Sequence, residues 1–199
     1  MNNRISAAIL AGGPASRMGG VVKPNLVICG ETIITITLSL LKELFSEIFI
    51  VTNTPGEFTQ YSDCMIINDQ ITGIGPLGGI HAALHAASCD AVFVFAGDMP
   101  LLNRDLIEKQ IEFFEANSYD ILVPKTGKLI EPLHSIYKRS VLVKLDEYLS
   151  GGNDNAVREF FKIMETRYME LDETEVVRNG FSNINLPSDI PAIERIFFD

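Results

Sequence analysis

Apolar residues along this chain fall into two patterns, short continuous runs and longer stretches with helical spacing. Ile5 to Leu10 is a run that ends in Ala11-Gly12-Gly13, as expected for a strand buried on both faces. Ile48 to Thr52 and Met65 to Ile67 are shorter runs of the same kind, and Ala91 to Ala96 is the clearest. Between them, Ile33, Ile34, Thr37, Leu40, Leu41, Leu44 and Phe45 repeat at the spacing of a helix face within Thr32 to Phe45. The β-branched residues that open this stretch favour strands and oppose that reading. Leu77 to Ala87 predicts a helix opened by the Gly75-Pro76 turn. Asn103 predicts the cap of an amphipathic helix to Ala116, with Leu106, Ile107, Ile111 and Phe114 on one side. Further strands are expected over Ile121 to Pro124, His134 to Tyr137 and Thr166 to Leu171. Helices are expected over Val141 to Leu149, Ala156 to Met164 and Pro187 to Phe198. Strands alternating with helices over the first 120 residues or so imply an α/β domain with a mostly parallel sheet covered on both faces. The final third is more irregular, and no repeat or low-complexity linker divides the chain.

Composition narrows the class. Of 199 residues, 47% are hydrophobic and 21% charged, which is globular rather than disordered. No apolar run is long enough to cross a membrane, and the first residues lack the features of a signal peptide, so a cytoplasmic protein with no membrane partner is expected. Cys29, Cys64 and Cys89 are odd in number and scattered, which predicts buried free thiols rather than disulfides or a metal knuckle. The net charge of -10 disfavours nucleic acid as a partner, since that needs a basic face. A phosphate-rich ligand would need a local cluster of cations and backbone amides.

The segment Leu10-Ala11-Gly12-Gly13-Pro14-Ala15-Ser16-Arg17-Met18-Gly19-Gly20-Val21-Val22-Lys23 offers such a cluster. Glycines let backbone N–H groups approach an anion, Arg17 can fork two phosphate oxygens, and Lys23 supplies a compact charge. The position after the first strand is where open α/β sheets bind ligands. The segment is neither the Walker loop nor the dinucleotide fingerprint. Its bland alternative is a surface loop with two incidental cations.

Asp98 follows the Ala91 to Ala96 strand and precedes Met99-Pro100. It is expected at the sheet's carboxyl edge, either as a ligand for a hard cation such as Mg²⁺ or as a turn former. Asn53 and Asp69 also fall at predicted strand ends. Gly75, Gly78 and Gly79 permit a flat base or ribose to lie on the backbone, or simply close helix packing. Asn183 and Asn185 alternate, so in an extended segment they share a face.

These motifs together resemble the MobA-like nucleotidyltransferases, the family of molybdenum cofactor guanylyltransferases and their relatives. L-A-G-G-x-x-x-R-M-G-G-x-x-K is similar to the family signature. Gly75-Pro76-Leu77-Gly78-Gly79 resembles its second glycine motif, and Gly97-Asp98-Met99-Pro100 its metal motif. Phe181-Ser182-Asn183-Ile184-Asn185-Leu186-Pro187 resembles its C-terminal motif, the part that points to the molybdenum cofactor branch. Two positions depart: the family often has Ser where Ala15 stands and an acidic residue where Val22 stands.

The resemblance implies a three-layer Rossmann-like nucleotidyltransferase fold over residues 1–199, with a nucleotide-binding part to about 120 and an acceptor-binding part after it. It implies Arg17, Lys23 and Asp98 as catalytic residues, with Asp98 as the metal ligand for Mg²⁺. Nucleotide contacts would come from Leu10, Ala11, Gly12, Gly13, Gly19, Gly20, Lys23, Asn53, Asp69, Gly75, Pro76, Gly79 and Asp98. Asn183 and Asn185 would serve the acceptor or the metal's surroundings. The implied donor is GTP and the implied acceptor molybdopterin, with transient contact to molybdenum cofactor enzymes or chaperones. Alternatives within the same chemistry are a cytidylyltransferase or transfer to another phosphorylated acceptor. An alternative from another class is a nucleotide-binding regulator without turnover.

Other signals are weaker. His81 and His85 stand four apart on a predicted helix but lack the partners a zinc site needs, so polar packing is expected. His134, in Glu131-Pro132-Leu133-His134, has an open role. Lys125, Lys128 and Arg139 read as solvated cations, and Asp172-Glu173-Thr174-Glu175 as a solvated face.

Overall fold

A computed structural model describes residues 4–12 and 22–198. Its central sheet has the strand order β10-β7-β9-β6-β1-β4-β5. The strands are β1 (Ile5–Leu10), β4 (Ile48–Val51), β5 (Met65–Ile67), β6 (Ala91–Ala96), β7 (Ile121–Thr126), β9 (His134–Lys138) and β10 (Thr166–Glu170). A short strand, β8 (Leu129–Ile130), pairs with the end of β7, and β2 (Val27–Ile28) and β3 (Glu31–Thr32) form a separate hairpin. β1 runs parallel to both β4 and β6, β4 to β5, and β10 to β7. β9 is the reversed strand wedged between β6 and β7. The mostly parallel sheet expected from the apolar runs is therefore present.

The helices are α1 (Ile33–Leu44), α2 (Pro76–Ala86), α3 (Arg104–Glu115), α4 (Val141–Ser150), α5 (Val157–Phe161), α6 (Glu175–Gly180) and α7 (Ile190–Phe198). Alternation along the strands sends Ala7, Ile9, Ile48, Ile50, Phe93 and Phe95 to one face, where α1 and α3 cover them. Ala8, Phe49, Val51, Val92 and Val94 face α2, α4 and α5. Three layers result. α1 forms despite its β-branched start because Ile33, Ile34, Leu38 and Leu41 are fully or almost fully buried. Burying each such side chain contributes about 1.5–3 kcal/mol, whereas a β-branched residue costs a helix only a few tenths of a kcal/mol. Thr32 caps α1 through the Thr35 N–H, and Asn103 caps α3 through the Leu106 N–H at 3.0 Å, as its position predicts.

The chain leaves β1 for β4 and β5 on one side, then crosses back to β6 on the other. The carboxyl edge of β1 is thus the switch point where such sheets open a crevice. At that edge Gly97 N donates to the Leu10 carbonyl at 3.0 Å, and Ala11 N donates to the Val51 carbonyl at 2.8 Å. Gly97 leaves no room for a side chain. A Cβ there would stand 2.7 Å from Pro24 Cγ and 2.8 Å from the Leu10 oxygen.

Asp172 to Glu175 are exposed, the solvated face expected, and within that stretch the Thr174 hydroxyl caps α6 through the Val177 N–H. Some expectations need correction. β5 is not the buried strand its apolar run predicts, because it lies at the edge of the sheet with Met65 exposed and Ile66 and Ile67 half-buried. The helical stretch over Ala156 to Met164 is ordered as α5 over only five residues. Pro187–Asp189 is a 3-10 turn before α7. Cys29, Cys64 and Cys89 are free as expected, but Cys29 is exposed and the other two only half-buried. Among the described residues no helix is long and apolar enough to cross a membrane.

His134 lies in the core rather than at a ligand surface. Its ring meets Phe93, Phe95 and Phe181 edge-on, with centroids 5.2, 5.2 and 5.0 Å away. Neither ring nitrogen has a hydrogen-bond partner among the described residues. Burial drives its pKa down to about 3. Between that value and the ordinary pKa of an unfolded histidine, the unfolded chain binds the extra proton. Stability is therefore lost as pH falls below about 6.5, at up to ~1.4 kcal/mol per pH unit. Urea unfolding of the wild type and His134→Phe from pH 7 to pH 4 should show the variant gaining on the wild type as pH falls; a constant gap refutes a buried neutral imidazole. Gly97→Ala, which forces a methyl onto Pro24 and the Leu10 carbonyl, should cost about 1–3 kcal/mol in the same assay.

Candidate active site

Lys23 opens a 3-10 turn, Lys23–Asn25, that is closed by Asn25 N to the Val22 carbonyl and Leu26 N to the Lys23 carbonyl. Pro24 is buried and packs on Gly97, which brings Lys23 beside the residue that follows Gly97. Lys23 Nζ lies 2.8 Å from Asp98 Oδ2 and 3.0 Å from Asn185 Oδ1. Both members of the ion pair are partly buried. Val22, where the family often carries an acid, packs against the core on the α1 side.

The C-terminal segment is tied to the same place. Ile184 N donates to the Asp98 carbonyl at 2.9 Å, adding a backbone bond beside the ion pair. The Ile184 side chain is buried with Ile28, Ile33 and Ile193. Asn183 and Asn185 do not act alike. Asn185 reaches Lys23, while Asn183 Nδ2 donates back to the Phe181 carbonyl at 3.2 Å.

On the other side of β1, Asn53 and Asp69 form a reciprocal pair. Asn53 Nδ2 donates to Asp69 Oδ2 at 2.9 Å, and Asp69 N donates to Asn53 Oδ1 at 3.2 Å. Gly75 adopts φ +66°, ψ -148°, a conformation open to glycine alone, and sits exposed before Pro76 at the start of α2. Gly78 and Gly79 allow close packing, as one of their two compatible readings expects. A Cβ on Gly79 would meet Leu10 Cδ2 at 2.9 Å, and one on Gly78 the Ile71 carbonyl at 2.7 Å. Leu10 and Ala11 spend the carbonyl and N–H described above on neighbouring strands, whereas Gly12 is exposed with open space around it. Gly13, Ala15, Arg17, Gly19 and Gly20 lie outside the described residues.

Lys125 stands at the same sheet edge as Asp98 but pairs with Glu170 at 2.6 Å. Arg139 follows the far end of β9, where its N–H donates to the Asp90 carbonyl, and so belongs to the opposite edge. His81 is buried and meets Asp146 of α4 at 2.7 Å, the polar packing its sequence context suggests. Among the described residues no group of three or more His, Cys, Asp or Glu side chains is placed to hold a metal ion. Glu131, half-buried near the start of β9, has its carboxyl held above the usual range by burial. Sequence reasoning passed over Asp189, which bonds the Asn185 and Leu186 amides. Its place three residues after Leu186, with Pro187 between, is the spacing that could have found it.

Known proteins are similar to this chain in both sequence and fold. The MobA-like NTP transferase domain matches residues 7–169. A probable molybdenum cofactor guanylyltransferase of Peptoclostridium acidaminophilum is 38% identical over 96% of this chain and 89% of its own. The molybdenum cofactor guanylyltransferase of Syntrophotalea carbinolica is 34% identical over 96% of this chain and 90% of its own. The crystal structure of molybdopterin-guanine dinucleotide biosynthesis protein A from Archaeoglobus fulgidus superposes with a TM-score of 0.79 at 25% identity, covering 97% of this chain and 98% of the other. With the family match spanning most of the sheet and the relatives nearly all of the chain, this protein belongs to the MobA-like NTP transferase family.

Proposed function

We propose that the protein transfers GMP from GTP to the terminal phosphate of molybdopterin, releasing pyrophosphate and forming the guanine dinucleotide cofactor. The observation that carries the reading is the convergence of Lys23, Asp98 and Asn185 at the switch point of the sheet. The names of the relatives supply the donor and the acceptor.

The chemistry asks little of the protein beyond position and charge. The acceptor phosphate is an anionic nucleophile near neutral pH, so attack on the α-phosphorus requires no protein base. The bond to the acceptor oxygen forms as the bond to pyrophosphate breaks. Two polyanions must be brought together, and the barrier falls by proximity and electrostatic stabilisation. In this reading Lys23 neutralises the triphosphate, together with Arg17 and the glycine-loop amides. Asn53 and Asp69 face the base or ribose, Gly75 and Pro76 border the same pocket, and Asn185 faces the acceptor phosphate. Residues to about 120 serve the nucleotide and those after it the acceptor.

The donor chemistry fits a hard divalent cation. The Asp98 carboxylate and the Asn185 amide oxygen already converge on one positive centre, the Lys23 ammonium. Mg²⁺ would be held by Asp98 with Asn185 beside it, and when bound supplies Lewis-acid stabilisation of the phosphate charge. The same reading places the reaction in the cytoplasm.

Thermal stability with GTP, CTP, ATP and UTP, each with and without Mg²⁺, tests donor choice. A ligand at about 100 times its Kd adds ~2.7 kcal/mol and raises the midpoint of a protein this size by roughly 5–10 °C. A shift with GTP and Mg²⁺ is expected; a shift with CTP alone moves the protein to cytidylyl transfer. Pyrophosphate release on adding molybdopterin separates an enzyme from a silent binder. Lys23→Ala should lower turnover by about 100-fold or more while the protein still folds, and wild-type turnover would remove Lys23 from the reaction. Asp98→Asn should stay poorly active at every Mg²⁺ concentration; an unaltered metal titration would exclude Asp98 as the ligand.

A further inference from the structure

Asp189 stands outside the reading above, yet it holds the stretch from which Asn185 reaches the cleft. Its Oδ2 accepts hydrogen bonds from the Leu186 N–H at 2.8 Å and the Asn185 N–H at 2.9 Å. The Asp189 N–H returns a bond to the Leu186 carbonyl at 3.0 Å, closing a reciprocal turn ahead of α7. The Leu186 and Asn185 amides, with a smaller contribution from the nearby Lys23 ammonium, hold the Asp189 carboxyl below the usual carboxylate range. An ionised acceptor makes these bonds roughly twice as strong as neutral ones.

The other end of the stretch is fixed separately. Ile184 N is bonded to the Asp98 carbonyl, and its side chain is buried against Ile28, Ile33 and Ile193. Asn185 is therefore gripped from the Asp98 loop on one side and from the α7 turn on the other. Its own side chain is exposed and makes its contact with Lys23 at 3.0 Å. An exposed amide on an irregular segment has many rotamers and backbone settings open to it. What narrows them on the C-terminal side is the carboxylate of Asp189.

We propose that Asp189 is a positioning residue for the transfer reaction, fixing the backbone of Asn185 so that the Asn185 amide oxygen stays on Lys23 beside Asp98. The inference rests on the reading of Asn185 as part of the site. It separates the C-terminal motif into a residue that faces the cleft and one that aims it.

A double-mutant cycle tests it, with pyrophosphate release read at saturating GTP, Mg²⁺ and molybdopterin. Asp189→Ala should lower kcat by about 10- to 100-fold, the scale of a misplacement near 1 Å, and leave the KM for GTP unchanged. Asp189→Asn keeps an acceptor oxygen and should recover most of that loss, which also guards against a variant that fails to fold. In an Asn185→Ala background, Asp189→Ala should change kcat by less than about two-fold, because coupled residues are not additive. Multiplicative losses, or wild-type kcat in Asp189→Ala beside an impaired Asn185→Ala, overturn the inference alone. Wild-type kcat in Asn185→Ala overturns the role of Asn185 and the inference with it. A readout that needs no turnover is the side-chain amide resonance of Asn185 in ¹H–¹⁵N spectra. It should move to the position of a free asparagine in Asp189→Ala and stay near its native position in Asp189→Asn; an unmoved resonance in Asp189→Ala also overturns the inference.

Discussion

The close approach of three backbone segments at Gly97 underlies everything that happens at the carboxyl edge of the sheet. β1 ends with its Leu10 carbonyl on Gly97 N, and Pro24 presses on the same glycine where a side chain would otherwise stand. Asp98 and Lys23 are each one residue from that contact. Their 2.8 Å pairing follows from the packing of Pro24 on Gly97 rather than from attraction between two free side chains. A partly buried pair that solvent still reaches gains little beyond the roughly 0–1 kcal/mol of a surface pair once its desolvation is counted, too little to organise loops of this size. Packing sets the distance, and charge then uses it.

The same reasoning bears on how a chain with a net charge of -10 would hold the polyanion proposed for it. Long-range repulsion is screened beyond about 8–10 Å at physiological salt, so the local field decides. Among the described residues, the cation at the switch point is Lys23, with Asp98 and Asn185 as its partners. Asp69, another carboxylate at this edge, is paired with the neutral Asn53 amide on the far side of β1.

How much of this was legible in the sequence depended on whether a feature was local. β1, β4, β6 and the cap at Asn103 follow from nearest neighbours in the chain, and the structure has them where the pattern predicts. Asp98 at the end of a buried run was legible for the same reason. The apolar run of β5, by contrast, gives no sign that this strand lies at the sheet edge. α1 was ambiguous because helix propensity and burial conflict there, and burial is the larger effect. Other features lay beyond a linear reading. The hydroxyl of Thr174 caps a short helix within what reads as a run of solvated charge. His134 has an open role in the sequence, and only the packing of Phe93, Phe95 and Phe181 shows it to be a core residue. For Gly78 and Gly79 the sequence allows both ligand contact and close packing, and the partners of that packing, Ile71 and Leu10, are visible only in the structure.

Lys23 meets Asp98 across 75 residues of sequence and Asn185 across 162. Closing loops of that length costs conformational entropy that two hydrogen bonds cannot offset. The cost is met by the sheet, which brings β1 and β6 together in register over Ile5 to Leu10, and by the small cluster of Ile28, Ile33, Ile184 and Ile193 that docks the C-terminal segment. The site is therefore a product of two separate burials. One aligns the lysine with the aspartate through the central strands. The other delivers Asn185 from the end of the chain, and it is small enough that hydrogen bonds to the backbone of that segment decide where its side chain comes to rest.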